Sequence, residues 1–310
     1  MREPAKYIVC LAILYMLRFF SVTELAAQDK TIILTRKIEK QLALKKDPRI
    51  FVNTERGIIR IRSWEKNEVK VLLKLSAKNK DIEKAREELD YMNYSISETR
   101  NTVFISNRMI LKKPEQQISS VIRAEYEILV PRDIEIHLDN RFGNVKIEQV
   151  SGGLFGELYY SDITISRFNG DINLHISTGD FSCSKSILNG MVFTRHANIS
   201  INETGGKLRL ETEYGKIQLI YSDLKLYAIL ITQATDISMV HKLCYPLELV
   251  LDGSYCSLEI DKGCYIAQEQ YLKSNYDLGD EQKLWRLRYL PPDKTTRMVI
   301  NAKFGSINLR

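Results

Sequence analysis

The side chains best placed for acid–base chemistry are two aspartates, Asp162 and Asp180, which occupy equivalent places in two successive repeats. Each directly precedes an alternating apolar segment, at Ile163 and at Phe181. If these segments stack as neighbouring strands, the two carboxylates come within the 5–10 Å or so that glycan-cleaving enzymes require. Asp and Asn are also the residues that turns prefer, so a solvated ladder of turn residues is the alternative. We favour that ladder, and we predict no catalytic residue, metal ion or cofactor. The same slot holds Asp236, Asn144, Asn198 and Lys216 in the other repeats.

Aromatic residues recur beside the same turns, at Tyr160, Tyr214 and Tyr255. An exposed column of such rings would bind the faces of sugars, whereas a buried column would simply belong to the core. Core is the more common outcome, but this is the one candidate binding surface that the sequence offers. The candidate ligand residues are therefore Tyr160, Tyr214, Tyr255, Asp162 and Asp180, and Phe142, Tyr276 and Phe304 recur in the same way.

Other chemistry-bearing motifs are absent from the sequence. No histidine has a second ligand at the spacing of a metal site, and neither a nucleophile elbow, a phosphate-binding loop nor a dinucleotide-binding glycine pattern occurs. We expect surface or strand-edge positions for the histidines, which are His137, His175, His196 and His241. The sequence therefore predicts a protein that is not an enzyme.

A repeat of constant length positions all these residues. The first five apolar anchors follow one another at a constant interval of eighteen positions, and each lies in a short segment of period-two alternation. This pattern predicts an all-β, single-stranded β-solenoid of about eight to ten rungs, in which one circuit of the chain forms one rung. An antiparallel sandwich is the alternative, but it would not demand a constant step. The anchors are Val145, Ile163, Phe181, Ile199, Ile217, Ile237, Leu258 and Ile307.

The chain before the repeat combines strands with one helix. Two alternating segments between Phe51 and Leu75 flank the polar residues 64–67, which predicts a hairpin. Residues 81–91 predict the one short helix, with Asp81 as its cap and Ile82, Ala85 and Leu89 on one face. We therefore divide the chain into residues 1–27, a strand-and-helix region at 28–131 and the repeat region at 132–310.

Residues 1–27 read as a signal peptide. Arg2 and Lys6 precede the apolar run 7–17, and Leu25-Ala26-Ala27 offers small residues for cleavage. A retained membrane anchor is the alternative, but Arg18 keeps the apolar run below the roughly 20 residues that span a bilayer. The mature chain is thus expected outside the cytoplasm, with no membrane span after cleavage.

The net charge bears on the class of binding partner, and the cysteines bear on a possible disulfide. Lys and Arg number 45 against 39 Asp and Glu, a net charge of +6 that is too small and too scattered to predict nucleic-acid binding. Export permits disulfides, and the separation of Cys244 and Cys264 in the sequence is close to one rung. A Cys244–Cys264 disulfide is therefore one prediction, although the two cysteines are out of phase by one residue, and inert buried thiols are the alternative.

Several segments together resemble a known family. They are GIIRIRSWEKNEVKV from Gly57 to Val71, YEILVP from Tyr126 to Pro131, and the turns Phe142-Gly143, Tyr214-Gly215 and Phe304-Gly305. In order and spacing they resemble the putative-adhesin β-solenoid proteins, also called toastrack domains, a widespread bacterial domain of unknown function. The resemblance covers roughly residues 45–310 and implies an extracytoplasmic, non-enzymatic domain linked to surface adhesion or to envelope-stress sensing.

Three functions remain open at this point. The leading hypothesis is an exported structural or adhesin-like binding protein of the cell envelope, whose partner is an envelope protein or a glycan. The second is a signalling accessory in the envelope-stress response that binds a membrane protein, and the third is a glycan-active enzyme. An open final rung at Asn308 and Leu309 would also permit end-to-end self-association, because exposed strand edges pair.

Overall fold

A computed structural model describes residues 31–44, 47–113, 115–220, 226–240, 247–260, 276–277, 283–289 and 296–309. Within these ranges the protein is all-β, with eighteen strands and one helix, α1 (Ile82–Leu89). The signal peptide predicted at 1–27 and both members of the predicted disulfide, Cys244 and Cys264, lie outside the described residues. The strands are β1 (Ile32–Ala43), β2 (Arg49–Glu55), β3 (Gly57–Trp64), β4 (Glu68–Asn79), β5 (Met92–Thr99), β6 (Thr102–Met109), β7 (Val121–Pro131), β8 (Asp133–Glu148), β9 (Ser151–Ser166), β10 (Asn169–Ser177), β11 (Phe181–Ser184), β12 (Ile187–Asn202), β13 (Gly205–Ile220), β14 (Leu226–Val240), β15 (Leu247–Ile260), β16 (Tyr276–Asp277), β17 (Lys283–Tyr289) and β18 (Thr296–Leu309).

From β8 to β13 each repeat, which we call a circuit, pairs in parallel with the repeats before and after it. Ile172 pairs with Leu154 of the preceding circuit on one side and with Gly190 of the following circuit on the other, always in parallel. All eight predicted anchors fall in one register, so the alignment of the repeats is confirmed. The pairs are Val145 with Ile163, Ile163 with Phe181, Phe181 with Ile199, Ile199 with Ile217, Ile217 with Ile237, Ile237 with Ile307, and Ile307 with Leu258.

The inward side chains form a continuous apolar core along the stacked circuits. Phe181, Leu230 and Ile300 are completely buried, and the anchors around them are nearly so, apart from the half-buried Leu258. Full burial of one such side chain stabilises the folded state by about 1.5–3 kcal/mol. The repeat is thus held together by ladders of like residues that contact one another along the direction of stacking.

The C-terminal strand does not form an open end. β18 lies between β14 and β15 and pairs in parallel with both, since Leu309 faces Met239 on one side and Ile260 on the other. Asn308 is paired in the same way, with Ser238 and Glu259. The predicted open final rung at Asn308 and Leu309 is therefore wrong, because both edges of this strand are already hydrogen-bonded. β15 pairs on its other side with β17, in antiparallel orientation.

The predicted hairpin between Phe51 and Leu75 is also wrong. β7 lies between the two strands, since Tyr126 faces Ile59 of β3 in parallel and Leu73 of β4 in antiparallel orientation. β7 carries the apolar YEILV segment, and pairing on both edges buries its inward face. In this part of the chain an antiparallel hairpin joins β5 to β6 instead.

The helix forms where it was predicted. Asp81 is its N-cap and accepts hydrogen bonds from the backbone N–H of Glu83 (2.9 Å) and Lys84 (3.2 Å). Ala85 and Leu89 are buried as expected, but Ile82 is exposed. α1, the one helix among the described residues, is not long and apolar enough to cross a bilayer.

The first circuits lie before residue 132. β2 and β3 both pair in parallel with β8, with Ile50 opposite Ile136 and Ile59 opposite Val145. The hydrogen-bonded sheet therefore continues across the boundary drawn at residue 132, and the division into 28–131 and 132–310 stays a prediction.

Candidate binding surface

One corner of every circuit from β8 onward carries a residue in the left-handed backbone region. We call these residues the aromatic corner column, because five of the eight are Phe or Tyr and a sixth is His. Their φ angles lie between 49° and 60°. This conformation is uncommon for any residue other than glycine, so its recurrence marks a defined corner. In stacking order the column is Phe142, Tyr160, Thr178, His196, Tyr214, Ala234, Phe304 and Tyr255.

The rings of the aromatic corner column are exposed and do not belong to the core. The exposed fraction is 60% for Tyr160, 54% for Phe142, 47% for Tyr214, 43% for Phe304 and 41% for Tyr255. Of the two outcomes considered for the predicted tyrosines, the structure shows the exposed one. The described part of the protein thus places apolar rings in solvent at regular intervals along one edge.

These rings stack in pairs along the direction of the circuits. Phe142 and Tyr160 have ring centroids 5.2 Å apart and planes 6° from parallel. His196 and Tyr214 lie 5.0 Å apart at 14°, and Tyr255 and Phe304 lie 5.1 Å apart at 26°. Thr178 and Ala234 separate the three pairs. The column therefore consists of three stacked pairs with two interruptions.

The phase of the apolar pattern changes across each corner, and this signal could have revealed the exposure. Before the corner the inward residues have even numbers, such as Ile136 and Leu138, whereas after it they are Val145 and Ile147. The change of phase leaves two consecutive residues, Arg141 and Phe142, on the outside. Glycine is the usual residue for a positive φ, but Gly143 and Gly215 do not have one, and the aromatic residue before each of them carries it instead.

The glycines that follow the corners allow neighbouring circuits to pack closely. A Cβ atom at Gly143 would meet the carbonyl oxygen of Gly57, and one at Gly215 would meet that of Ala197. The residue after the corner therefore stays small, and in stacking order glycine alternates with a larger residue. This order is Gly143, Ser161, Gly179, Ala197, Gly215, Thr235, Gly305 and Cys256.

The candidate aspartates follow the corner by two residues and bind the backbone of the next circuit. Asp162 Oδ1 accepts a hydrogen bond from the backbone N–H of Asp180 at 2.9 Å. Asp180 Oδ1 in turn accepts from the backbone N–H of Asn198 at 3.0 Å and from its side-chain amide at 3.1 Å. Asp236 does the same for Ser306. The structure brings Asp162 and Asp180 together as neighbours, in the arrangement of a turn ladder.

Charged side chains flank several of the corners. Glu213, which precedes Tyr214, is paired with Arg195 at 2.7 Å, and Lys303 Nζ lies 5.4 Å from the centroid of the Phe304 ring. Among the described residues, no group of three or more His, Cys, Asp and Glu side chains is arranged to hold a metal ion. Cys183 and Cys256 are buried, and burial raises the pKa of both thiols.

A second aromatic stack, which the sequence analysis missed, lies on the outer face of β6, β2, β8 and β9. Phe104, Phe51, His137 and Phe155 follow one another with ring centroids 5.4, 4.2 and 5.4 Å apart. His137 Nε2 contacts Glu135 Oε1 at 2.5 Å. This stack joins residues from distant parts of the sequence, so no local motif predicts it.

Comparison with known proteins gives structural likenesses only. No family profile matches the sequence, and no curated protein matches it. Among solved structures, the chain is similar to a putative cell adhesion protein from Clostridium sporogenes, at 12% identity over 89% of this chain and 99% of the other, with a TM-score of 0.23. It is also similar to a putative adhesin from Bacteroides fragilis, at 9% identity over 89% and 97% of the two chains, with a TM-score of 0.45. A putative lipid binding protein from Parabacteroides distasonis is similar at 11% identity over 68% and 91%, with a TM-score of 0.30. The solved structures thus include proteins described as adhesins, the group that the sequence resembles, but TM-scores below 0.5 support no inference about function.

Proposed function

We propose that this chain is an exported, non-enzymatic binding protein of the cell envelope that holds a glycan through the aromatic corner column. The observation that carries this proposal is the exposure of five stacked Phe and Tyr rings along one edge of the protein. The mature chain is proposed to be a single-stranded β-solenoid of about eight to ten rungs, built from a strand-and-helix region at 28–131 and a repeat region at 132–310. Residues 1–27 act as the signal peptide that exports it.

A glycan is the ligand that this surface suits best. Sugars present an apolar face that packs against aromatic rings and hydroxyl groups that bond to polar neighbours. The rings stand beside the ladder of Asp162, Asp180 and Asn198, which supplies carboxylate and amide groups two residues further on. Apolar rings next to such groups match both sides of a sugar.

The ladder also argues for binding over cleavage. One oxygen of Asp162 and one of Asp180 accept hydrogen bonds from the backbone of the neighbouring circuit, so both carboxylates have a structural role. A general acid needs a carboxyl group that is free to move a proton to and from the substrate. The proposal therefore assigns no catalytic residue.

A binding experiment on purified protein tests the proposal. The double variant Tyr160→Ser, Tyr214→Ser removes two exposed rings, and Arg167→Ser, Lys185→Ser serves as the control at another left-handed corner. We expect the parent protein and the control to bind one or more envelope polysaccharides of an immobilised panel. The Tyr160→Ser, Tyr214→Ser variant should bind at least tenfold more weakly.

Two results would contradict the proposal. Equal binding by both double variants would remove the column from the site. Release of new reducing ends that is lost in Asp162→Asn or Asp180→Asn would show a glycan-active enzyme instead.

A further inference from the structure

The two interruptions of the aromatic corner column differ from the stacked pairs in what they leave accessible. Within a pair the ring planes are nearly parallel, so each ring covers one face of its partner. The face of Tyr160 away from Phe142 points toward Thr178, and the face of His196 away from Tyr214 points toward Thr178 from the other side. Ring faces, which bind sugars, are therefore available at the interruptions.

The width of the interruption at Thr178 matches one inserted ring. Consecutive circuits are about 4.8 Å apart, so Tyr160 and His196 stand roughly 10 Å apart across it. The native pairs keep their centroids 5.2 and 5.0 Å apart. One additional ring halfway between Tyr160 and His196 would therefore continue the column at its own native spacing.

Thr178 itself is unusual at this position. It is a β-branched residue with φ of 60°, a conformation in which such residues are outliers. The equivalent residues before and after it carry rings, which the same backbone accepts at Tyr160 and His196. The geometry of the corner therefore does not require a small side chain at Thr178.

The interruption at Ala234 is the less suitable of the two. The side chain at this interruption is the methyl group of Ala234. Beside it, Lys303 Nζ lies 5.4 Å from the centroid of the Phe304 ring. Thr178 instead offers a hydroxyl group of its own. Both interruptions have polar side chains two residues further on, Asp180 and Asn198 beside Thr178 and Asp236 and Ser306 beside Ala234. A ring that carries hydroxyl groups fits this polar border better than a purely apolar one does.

We infer that the interruption at Thr178 is a slot that holds one sugar ring of the glycan between Tyr160 and His196. This inference rests on the proposed function and specifies where on the column the ligand binds. The sugar packs its apolar face on Tyr160, and its hydroxyl groups face Thr178 and the neighbouring Asp180 and Asn198.

Filling the slot tests it directly. Thr178→Tyr places a ring where neighbouring circuits already carry one, so this variant should fold and be at least as stable as the parent. Ala234→Tyr fills the other interruption and is the matched control. Both are titrated, beside the parent and Tyr160→Ser, Tyr214→Ser, with soluble gluco-, manno- and N-acetylglucosamine oligosaccharides in a calorimeter.

We expect Thr178→Tyr to weaken binding at least tenfold and Ala234→Tyr to change it less than threefold. Undiminished binding by Thr178→Tyr together with loss in Tyr160→Ser, Tyr214→Ser would overturn the slot and leave the proposed function standing. Undiminished binding by all variants, or no binding of any oligosaccharide by the parent, would overturn both.

Discussion

The circuits have two corners with the same left-handed backbone conformation, and one corner carries polar side chains where the other carries mostly aromatic ones. The polar one, the polar corner column, consists of Gln149, Arg167, Lys185 and Glu203, which recur at the same interval as the rings. Its φ angles lie between 47° and 58°, and those of the aromatic corner column lie between 49° and 60°. The left-handed conformation alone therefore does not select aromatic residues. The backbone conformation therefore does not explain why rings recur along one corner, and we propose that binding of a ligand does.

The residues that follow the two corners differ as well. After the polar corner they can be large, since Val150 and Phe168 are buried in the core. After the aromatic corner they remain small, because a Cβ at Gly143 or Gly215 would meet the backbone of the preceding circuit. The aromatic corner is thus the more tightly packed of the two in its backbone, while its side chains remain in solvent.

The largest expected effect is on this backbone packing. Gly215→Val should lower the free energy of unfolding by about 2–3 kcal/mol, because the new side chain meets the carbonyl oxygen of Ala197. Thr204→Val places the same residue after the polar corner of the same circuit and should cost less than about 1 kcal/mol. Urea denaturation of both variants measures the difference, and equal losses would show that the two corners are equally packed.

A smaller effect separates the side chains of the two columns. A double-mutant cycle on Phe142 and Tyr160, each changed to Ala, should give a favourable coupling of about 0.5–1.5 kcal/mol, the usual value of an aromatic pair. The same cycle on Arg167 and Lys185, neighbours of like charge in the polar column, should give a coupling near zero or slightly unfavourable. Thermal unfolding of the parent and the six variants measures both values. A favourable coupling in the polar column would contradict the contrast.

The smallest effect concerns the strained residue of the aromatic column. Thr178→Asn should raise the free energy of unfolding by about 0.5–1 kcal/mol, because Asn tolerates the left-handed region and a β-branched residue does not. Lys185→Asn should gain less, since Lys is not branched at Cβ. A destabilised Thr178→Asn variant would show that the Thr178 side chain makes contacts that outweigh its backbone strain.

Much of the fold was predictable from local sequence. Period-two alternation identified the strands, and the constant step between repeats aligned Val145, Ile163 and Phe181 in one ladder. Asp81 correctly predicted the start of the helix. These features depend on residues that are close in the chain or repeat at a fixed interval, so the sequence shows them directly.

The order of the last strands was not predictable in this way. β15 and β18 carry equivalent patterns, with an aromatic corner at Tyr255 and at Phe304 and an anchor at Leu258 and at Ile307. Either strand could follow β14 without disturbing the core, so local sequence does not distinguish them. The same holds for β7, whose apolar segment pairs with both β3 and β4.

For the candidate site, the sequence by itself determined that aromatic residues and aspartates recur at the same place in successive repeats. The tertiary structure showed that the rings of Tyr160, Tyr214 and Tyr255 lie in solvent, which the sequence carried only as a change of phase in its apolar pattern. The reason is that a left-handed residue shifts the phase of the strand, which turns two consecutive side chains outward where simple alternation predicts one. Stacking of the circuits then brought these rings into one column and left the slot at Thr178 between them.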